Sequence, residues 1–161
     1  MVKPSGLLIC ILPILLAASC RPIDLHEKNA AIPGHRWQSS FQPEFSFTIT
    51  DTTKPYQLFV TIRHRDRYAY NNLYLNITTR QPGDDSTRTA MYDLRLGTDE
   101  DGWLGKGMDD IYEHRIPLTP AGTPFRFRKT GTYVFRFQQM MREDPLEHVL
   151  NVGLRIETKQ P

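Results

Sequence analysis

Two cysteines are the entire thiol complement of this 161-residue chain, Cys10 inside an apolar run near the start and Cys20 at its end. Beyond Cys20 no disulfide can close. A cysteine nucleophile and a cysteine-ligated metal are excluded from the body of the chain. Charge of one sign is also scarce in excess: 20 basic residues stand against 18 acidic ones, for a net charge of +2. The basic residues are dispersed, so the clustered face of a nucleic-acid-binding protein is missing. The apolar run, Leu7 to Ala18, falls short of the ~20 residues a bilayer span needs. No HExxH, GxSxG or phosphate-loop spacing occurs, and no segment carries an apolar stripe at helical period.

What is there begins at the N-terminus. Lys3 precedes the apolar run, and Leu16-Ala17-Ala18-Ser19-Cys20 follows it. A basic start, an apolar middle and small residues before a cut are the parts of a secretory leader. With a cysteine at the cut, they match the lipobox of bacterial lipoproteins. The expectation is a leader over 1–19 and a lipid on Cys20. Arg21 is not the acidic residue that retains lipoproteins at the inner membrane in many bacteria. It points to the outer membrane, and the absence of an acidic cluster after Cys20 points to its periplasmic face. Residues 20–40 hold Pro22, Pro33 and Gly34 without sustained periodicity and read as a tether, with room for a short edge strand.

The remainder, about 140 residues less the tether, suits one domain. It alternates with period two, as half-buried antiparallel strands do. Phe45, Phe47 and Ile49 form one row. Leu58, Val60 and Ile62 form the next, then Leu73, Leu75 and Ile77, then Tyr92, Leu94 and Leu96. Asp110 to Leu118 puts Tyr112, His114 and Ile116 on one face. Phe125 and Phe127 start a short strand, Tyr133, Phe135 and Phe137 make the clearest inward row, and Val152, Leu154 and Ile156 close the chain. Turn residues separate them in QPGDDS (Gln81 to Ser86), PAGTP (Pro120 to Pro124) and KTG (Lys129 to Gly131). MREDPLEHVL, Met141 to Leu150, predicts one helical turn opened by Pro145. About eight short strands in regular succession predict an all-β, antiparallel β-sandwich, jelly-roll or Ig-like, over 41–161.

Chemistry concentrates in two stretches. Thr98 to Arg115 joins Asp99, Glu100, Asp101, Asp109 and Asp110 to Gly102, Gly105, Gly107 and Trp103. A calcium loop would need alternating ligands and a terminal Glu at fixed spacing, which are missing. A carbohydrate platform would use Trp103 with Tyr112 or Tyr92. The simplest reading is an ordered loop whose Trp103 plugs one end of the sandwich. Glu113 and Asp110 can be drawn as a carboxylate pair, but sequence gives no separation between them. The second stretch, Arg63 to Tyr70, alternates Arg63, Arg65 and Arg67 as a solvated strand face and adds Tyr68 and Tyr70, residue types favoured at protein interfaces. The five histidines are scattered, and His114 is expected to pack on a strand face.

RHRDRYAYNNLYL resembles the paired-strand motif of the gliding motility-associated lipoproteins of Bacteroidota, the GldH family. GWLGKGMDDIYEHRIPL is similar to that family's G-W-L-G segment, and KTGTYVFRFQQMMREDPLEHVLNVGLRIE to its closing pattern. The likeness runs from the lipobox to Glu157, with Ala69 where the family usually has proline. The matched positions include Asn72, Trp103, Gly105, Asp110, Tyr133, Gln139, Met140 and Arg142. The resemblance implies an outer-membrane lipoprotein linked to the gliding machinery and the type IX secretion route, with no enzymatic residues to carry over.

Together these readings predict a non-enzymatic domain without a cofactor, held to the membrane by the lipid on Cys20 and in contact with gliding or secretion proteins of the envelope, not with nucleic acid. Arg65, Tyr68, Tyr70, Trp103, Asp109 and Asp110 are the candidate contact residues. The rival expectation is a lipid-anchored glycan-binding sandwich, which requires exposed, coplanar aromatics.

Overall fold

The computed structural model describes residues 25–120 and 123–158. The leader, Cys20 and the centre of the PAGTP turn lie outside the described residues.

In chain order the elements are β1 (Leu25–Ala31), a 3-10 turn (Pro33–His35), β2 (Arg36–Trp37), β3 (Glu44–Ile49), β4 (Tyr56–Arg65), β5 (Asn72–Arg80), β6 (Thr87–Arg95), β7 (Gly97–Thr98), β8 (Gly102–Trp103), β9 (Lys106–Met108), β10 (Ile111–Pro117), β11 (Gly131–Gln139), β12 (Leu146–Glu147) and β13 (Val149–Thr158). A five-stranded sheet runs β1-β13-β4-β10-β9 and a four-stranded sheet runs β3-β11-β5-β6. Every pairing is antiparallel. Two small ribbons, β12-β2 and β7-β8, sit where β4 leads into β5: the His148 carbonyl after β12 accepts from the Arg65 N–H, and the Asn71 carbonyl accepts from the Leu96 and Gly97 N–H groups.

The sheets pack face to face because the period-two rows meet. Leu58, Val60 and Ile62 of β4 stand opposite Ile156, Leu154 and Val152 of β13. Phe45 and Phe47 of β3 stand opposite Phe135 and Tyr133 of β11. All belong to one buried cluster with Leu73, Leu75, Ile77 and Phe137. Each such side chain contributes about 1.5–3 kcal/mol by leaving water, so the alternation itself selects which face turns inward. Tyr133 fixes the entry to β11: its hydroxyl donates to the Lys129 carbonyl at 3.0 Å.

Three segments differ from the sequence reading. The stretch read as a tether with room for a short edge strand is built into the domain from Leu25 onward, and its edge strand is β1. β1 pairs with β13 along its whole length, and Trp37 is fully buried with its indole N–H donating to the Phe41 carbonyl at 2.8 Å. The pattern was weak because the inward positions of β1 include Lys28, at the side of the sandwich. Its ammonium reaches the Ser46 carbonyl and lies 5.3 Å over the Phe47 ring. Met141 to Leu150 forms a turn and then β12, which pairs Leu146 with Trp37, instead of a helical turn. Gln139, also buried, holds this turn by accepting from the Met141 N–H at 2.8 Å and donating to the Glu143 carbonyl at 3.2 Å. Phe125 makes only an isolated bridge to Tyr56.

Gly153 shows why the closing motif carries glycine. It lies between Asn29 on β1 and Thr61 on β4. The Thr61 hydroxyl donates to Asn29 Oδ1 at 2.8 Å, across the glycine. A Cβ there would stand 2.0 Å from Asn29 Oδ1, so no other residue fits beneath this bond.

Candidate functional site

The two stretches rich in chemistry meet at one end of the sandwich. β10 lies beside β4 in a register that puts Tyr112 opposite His64 and His114 opposite Ile62. The backbone N–H of Asp66 donates to the Asp110 carbonyl at 2.8 Å and ties the two turns together. His64 and His114 occupy inward positions of their strands, where alternation demands an apolar side chain. Both are buried, at 0 % and 3 % exposure.

Burial of two imidazoles has to be compensated by hydrogen bonds. His64 Nδ1 lies 2.7 Å from the Arg65 carbonyl, so the proton sits on Nδ1 and the N–H donates. That leaves His64 Nε2 as an acceptor, and His114 Nε2 donates to it at 2.8 Å. Both rings are held neutral. Burial lowers the pKa of His64, partly offset by the Arg65 carbonyl. Burial, and secondarily the neighbouring His64, brings His114 down to about 4.

Aromatic rings surround His64, while His114 backs onto a cleft with Leu104, Gly105 and Ile116. Trp103 meets His64 edge-on at 4.4 Å, Tyr68 at 5.1 Å and Tyr112 nearly stacked at 5.9 Å. The Tyr68 hydroxyl donates to the Asn72 carbonyl at 2.9 Å, and burial pushes its pKa up. The glycines of the G-W-L-G segment make room for these rings. A Cβ on Gly105 would stand 2.6 Å from the Glu113 carbonyl and 2.8 Å from His114 Nε2. One on Gly107 would stand 2.8 Å from Tyr112 Cε1. Trp103 is carried by the β7-β8 ribbon, which is held to the sandwich where the Leu96 and Gly97 N–H groups donate to the Asn71 carbonyl.

The candidate contact residues therefore separate by depth. Tyr68 is 4 % exposed and has no surface to offer a partner. Trp103, Tyr70 and Arg65 are half-buried, and the Arg65 N–H donates to the His148 carbonyl. Asp109 and Asp110 are exposed in a two-residue hairpin turn between β9 and β10, with Asp109 at φ 55°. Aspartate tolerates that conformation better than most residues. Leu104 and Met108, at 51 % and 75 % exposure, stand beside them and were not among the expected contacts. Met108 lies in the edge strand β9 and Leu104 between β8 and β9, positions whose exposure alternation does not reveal.

Two of the rival chemistries find little support in this arrangement. Trp103 and Tyr112 are tilted by 45° at 5.9 Å and both are half-buried, unlike a sugar-stacking platform. Glu113 points to the outer face, where it lies 3.6 Å from Arg63 Nε, away from the inward row. Among the described residues no three His, Asp or Glu side chains converge on a point.

The chain matches the family described as GldH lipoprotein over residues 24–156. It is 31 % identical over 157 residues to the gliding motility lipoprotein GldH homolog of Christiangramia forsetii, covering 92 % of this chain and 93 % of that one. It is 27 % identical over 165 residues to the gliding motility lipoprotein GldH of Flavobacterium johnsoniae, covering 98 % of each. The matched span runs from just ahead of β1 to the end of the inward row in β13, and so includes the histidine pair and the glycines that enclose it. The chain belongs to the GldH lipoprotein family.

Proposed function

We propose that this protein is a non-enzymatic component of an envelope assembly, anchored by a lipid on Cys20 to the periplasmic face of the outer membrane and serving gliding or type IX secretion. Family membership along nearly the whole chain is the observation that carries this reading. The arrangement at the end of the sandwich agrees with a scaffold role. Its histidines are neutral and buried, and both ring nitrogens of His64 are spent, on the Arg65 carbonyl and on His114. The surface beside them, Trp103, Tyr70, Leu104, Met108, Asp109 and Asp110, is the contact face of this proposal. A lipid on Cys20 confines the domain to the membrane plane and raises its effective concentration for partners there.

Deletion and complementation test the reading. Loss of the gene is expected to impair spreading, or the secretion of surface adhesins in a strain that does not glide. Wild-type protein restores the phenotype, and Cys20→Ser, produced at the same level, does not. Full restoration by Cys20→Ser would show that the anchor is not needed, and an unaltered deletion strain would rule out the assembly role.

A further inference from the structure

The sandwich is closed on one side and open on the other. On the closed side β1 is stitched to β3 through Lys28 and Ser46. On the open side the four-stranded sheet ends in β6, and no described strand pairs with its outer edge. Natural edges are shortened, bulged, interrupted by proline or guarded by charge. β6 has only the last of these, in Arg88, Asp93 and Arg95. It pairs with β5 over nine residues without a register shift. Thr87 to Met91 are all exposed, Met91 at 66 %. Ala90 shares the inward-facing set with Leu94, yet it is exposed too, so the inner side of the edge is open there.

Cations mark both ends of this edge. At one end Arg88 lines a cleft of about 300 Å³ with Arg126, Arg128, Phe125 and Tyr133, and no carboxylate lines it. At the other end Arg95 lines a cleft of about 480 Å³ with Lys106, Arg115, Leu104 and Ile116. Its one carboxylate, Glu113, is already engaged by Arg63. Arg115 is paired with Glu157, and Arg126 donates to the Thr53 carbonyl. Arg88, Arg128, Arg95 and Lys106 make no hydrogen bond or ion pair among the described residues. Asp84 is within electrostatic reach of Arg88, but its carboxylate is bonded by Ser86. Asp93, on the same face of β6 as Arg95, lines a second cleft with Arg95 and Asp99, and its carboxylate is bonded by Asn72.

We propose that the free edge of β6 takes up an extended acidic segment of a partner protein as an added strand, with carboxylates near its two ends held by the Arg88 and Arg95 clefts. Arg88 and Arg95 are seven residues apart, which at the rise of a strand is about 23 Å. The occupant is thus an extended segment of about eight residues with acidic ends and small or apolar residues facing Ala90 and Met91. A polypeptide is favoured over another polyanion because the edge offers backbone N–H and C=O groups that only a second peptide backbone can match. Guanidinium groups hold carboxylates through paired hydrogen bonds, which adds specificity to charge. The inference does not rest on the gliding assignment and adds a kind of partner to it.

The test uses the full-length protein in neutral detergent micelles and a fluorescent nine-residue peptide, Asp-Glu-Val-Thr-Val-Thr-Val-Glu-Asp. Binding is read by anisotropy. The expected result is saturable binding that weakens about tenfold or more in Arg88→Glu/Arg95→Glu and in a peptide N-methylated along one edge. Both substituted positions are exposed, so the melting temperature of the variant serves as its folding control. Equal binding of the N-methylated peptide, or of an anionic oligosaccharide of matched charge, would overturn strand addition. So would equal binding by the charge-reversed variant, or no binding by the wild type. None of these outcomes bears on the complementation phenotype, which tests the assembly role separately.

Discussion

His64 Nε2 lies 2.8 Å from His114 Nε2, and His64 Nδ1 lies 2.7 Å from the Arg65 carbonyl. Only one proton can occupy the line between the two Nε2 atoms. A second would set two N–H groups against each other inside a shell of Trp103, Tyr68 and Tyr112. The pair is therefore built for the neutral state.

This makes stability depend on pH with a definite sign. The folded-state pKa of both rings is lowered, His114 to about 4, while the unfolded chain titrates near 6.5. Between these values the unfolded chain binds more protons, so stability is complete above about pH 6.5 and is lost as pH falls toward about 4. The loss is on the order of a few kcal/mol. Glu27, Asp51, Asp84 and Asp144 also have lowered pKa values, but their contribution is lost below the ordinary carboxylate range. Denaturant melts at pH 7.5, 6 and 5 should show a falling midpoint. In His64→Gln/His114→Gln the slope in that window should be flat, whatever the absolute stability.

Trp103 is predicted to act through the same pair. Trp103→Ala opens the cover over His64, lets water reach the imidazoles and reduces their desolvation. Stability should fall by about 2–4 kcal/mol at pH 7.5, and the difference from wild type should shrink at pH 5. A constant difference across pH would mean that Trp103 packs without influencing the histidines.

Gly153→Ala and Gly105→Ala test the two closest approaches. The added methyl meets Asn29 Oδ1 in the first and the Glu113 carbonyl in the second. Each should cost at least about 1–3 kcal/mol, read as a drop in melting temperature. Gly34→Ala is the control: it has open space around it and only the cost of its positive φ.

The N-terminal boundary is tested by Trp37. Its full burial predicts a loss of about 3–5 kcal/mol for Trp37→Ala. A chain lacking residues 25–40 also loses the β1 edge and the β2-β12 ribbon. It should show no cooperative unfolding transition.

Much of this fold could be read from alternation alone, because rows such as Leu58-Val60-Ile62 and Tyr133-Phe135-Phe137 are buried on one face and need nothing else to declare themselves. β1 was opaque because Lys28 occupies an inward position at the rim, where a long side chain can reach water and backbone at once. β12 is opaque because two residues following a proline carry no period. At the site, alternation puts His114 on a strand face with Tyr112 and Ile116, but His64 is not singled out, and nothing in spacing says that residues 50 apart share a hydrogen bond. That follows only from the β4-β10 register. The roles of Gly105 and Gly153 are legible only in space, from the atoms that a Cβ would meet.

Co-purification from the native host distinguishes an anchored assembly component from a domain that works alone. Wild-type protein and Cys20→Ser are cross-linked in cells, captured under denaturing conditions and compared by mass spectrometry. Envelope proteins of the gliding or secretion machinery are expected to be enriched with the wild type and lost with Cys20→Ser. Recovery of abundant envelope background alone, equal in both samples, would contradict the anchored assembly role.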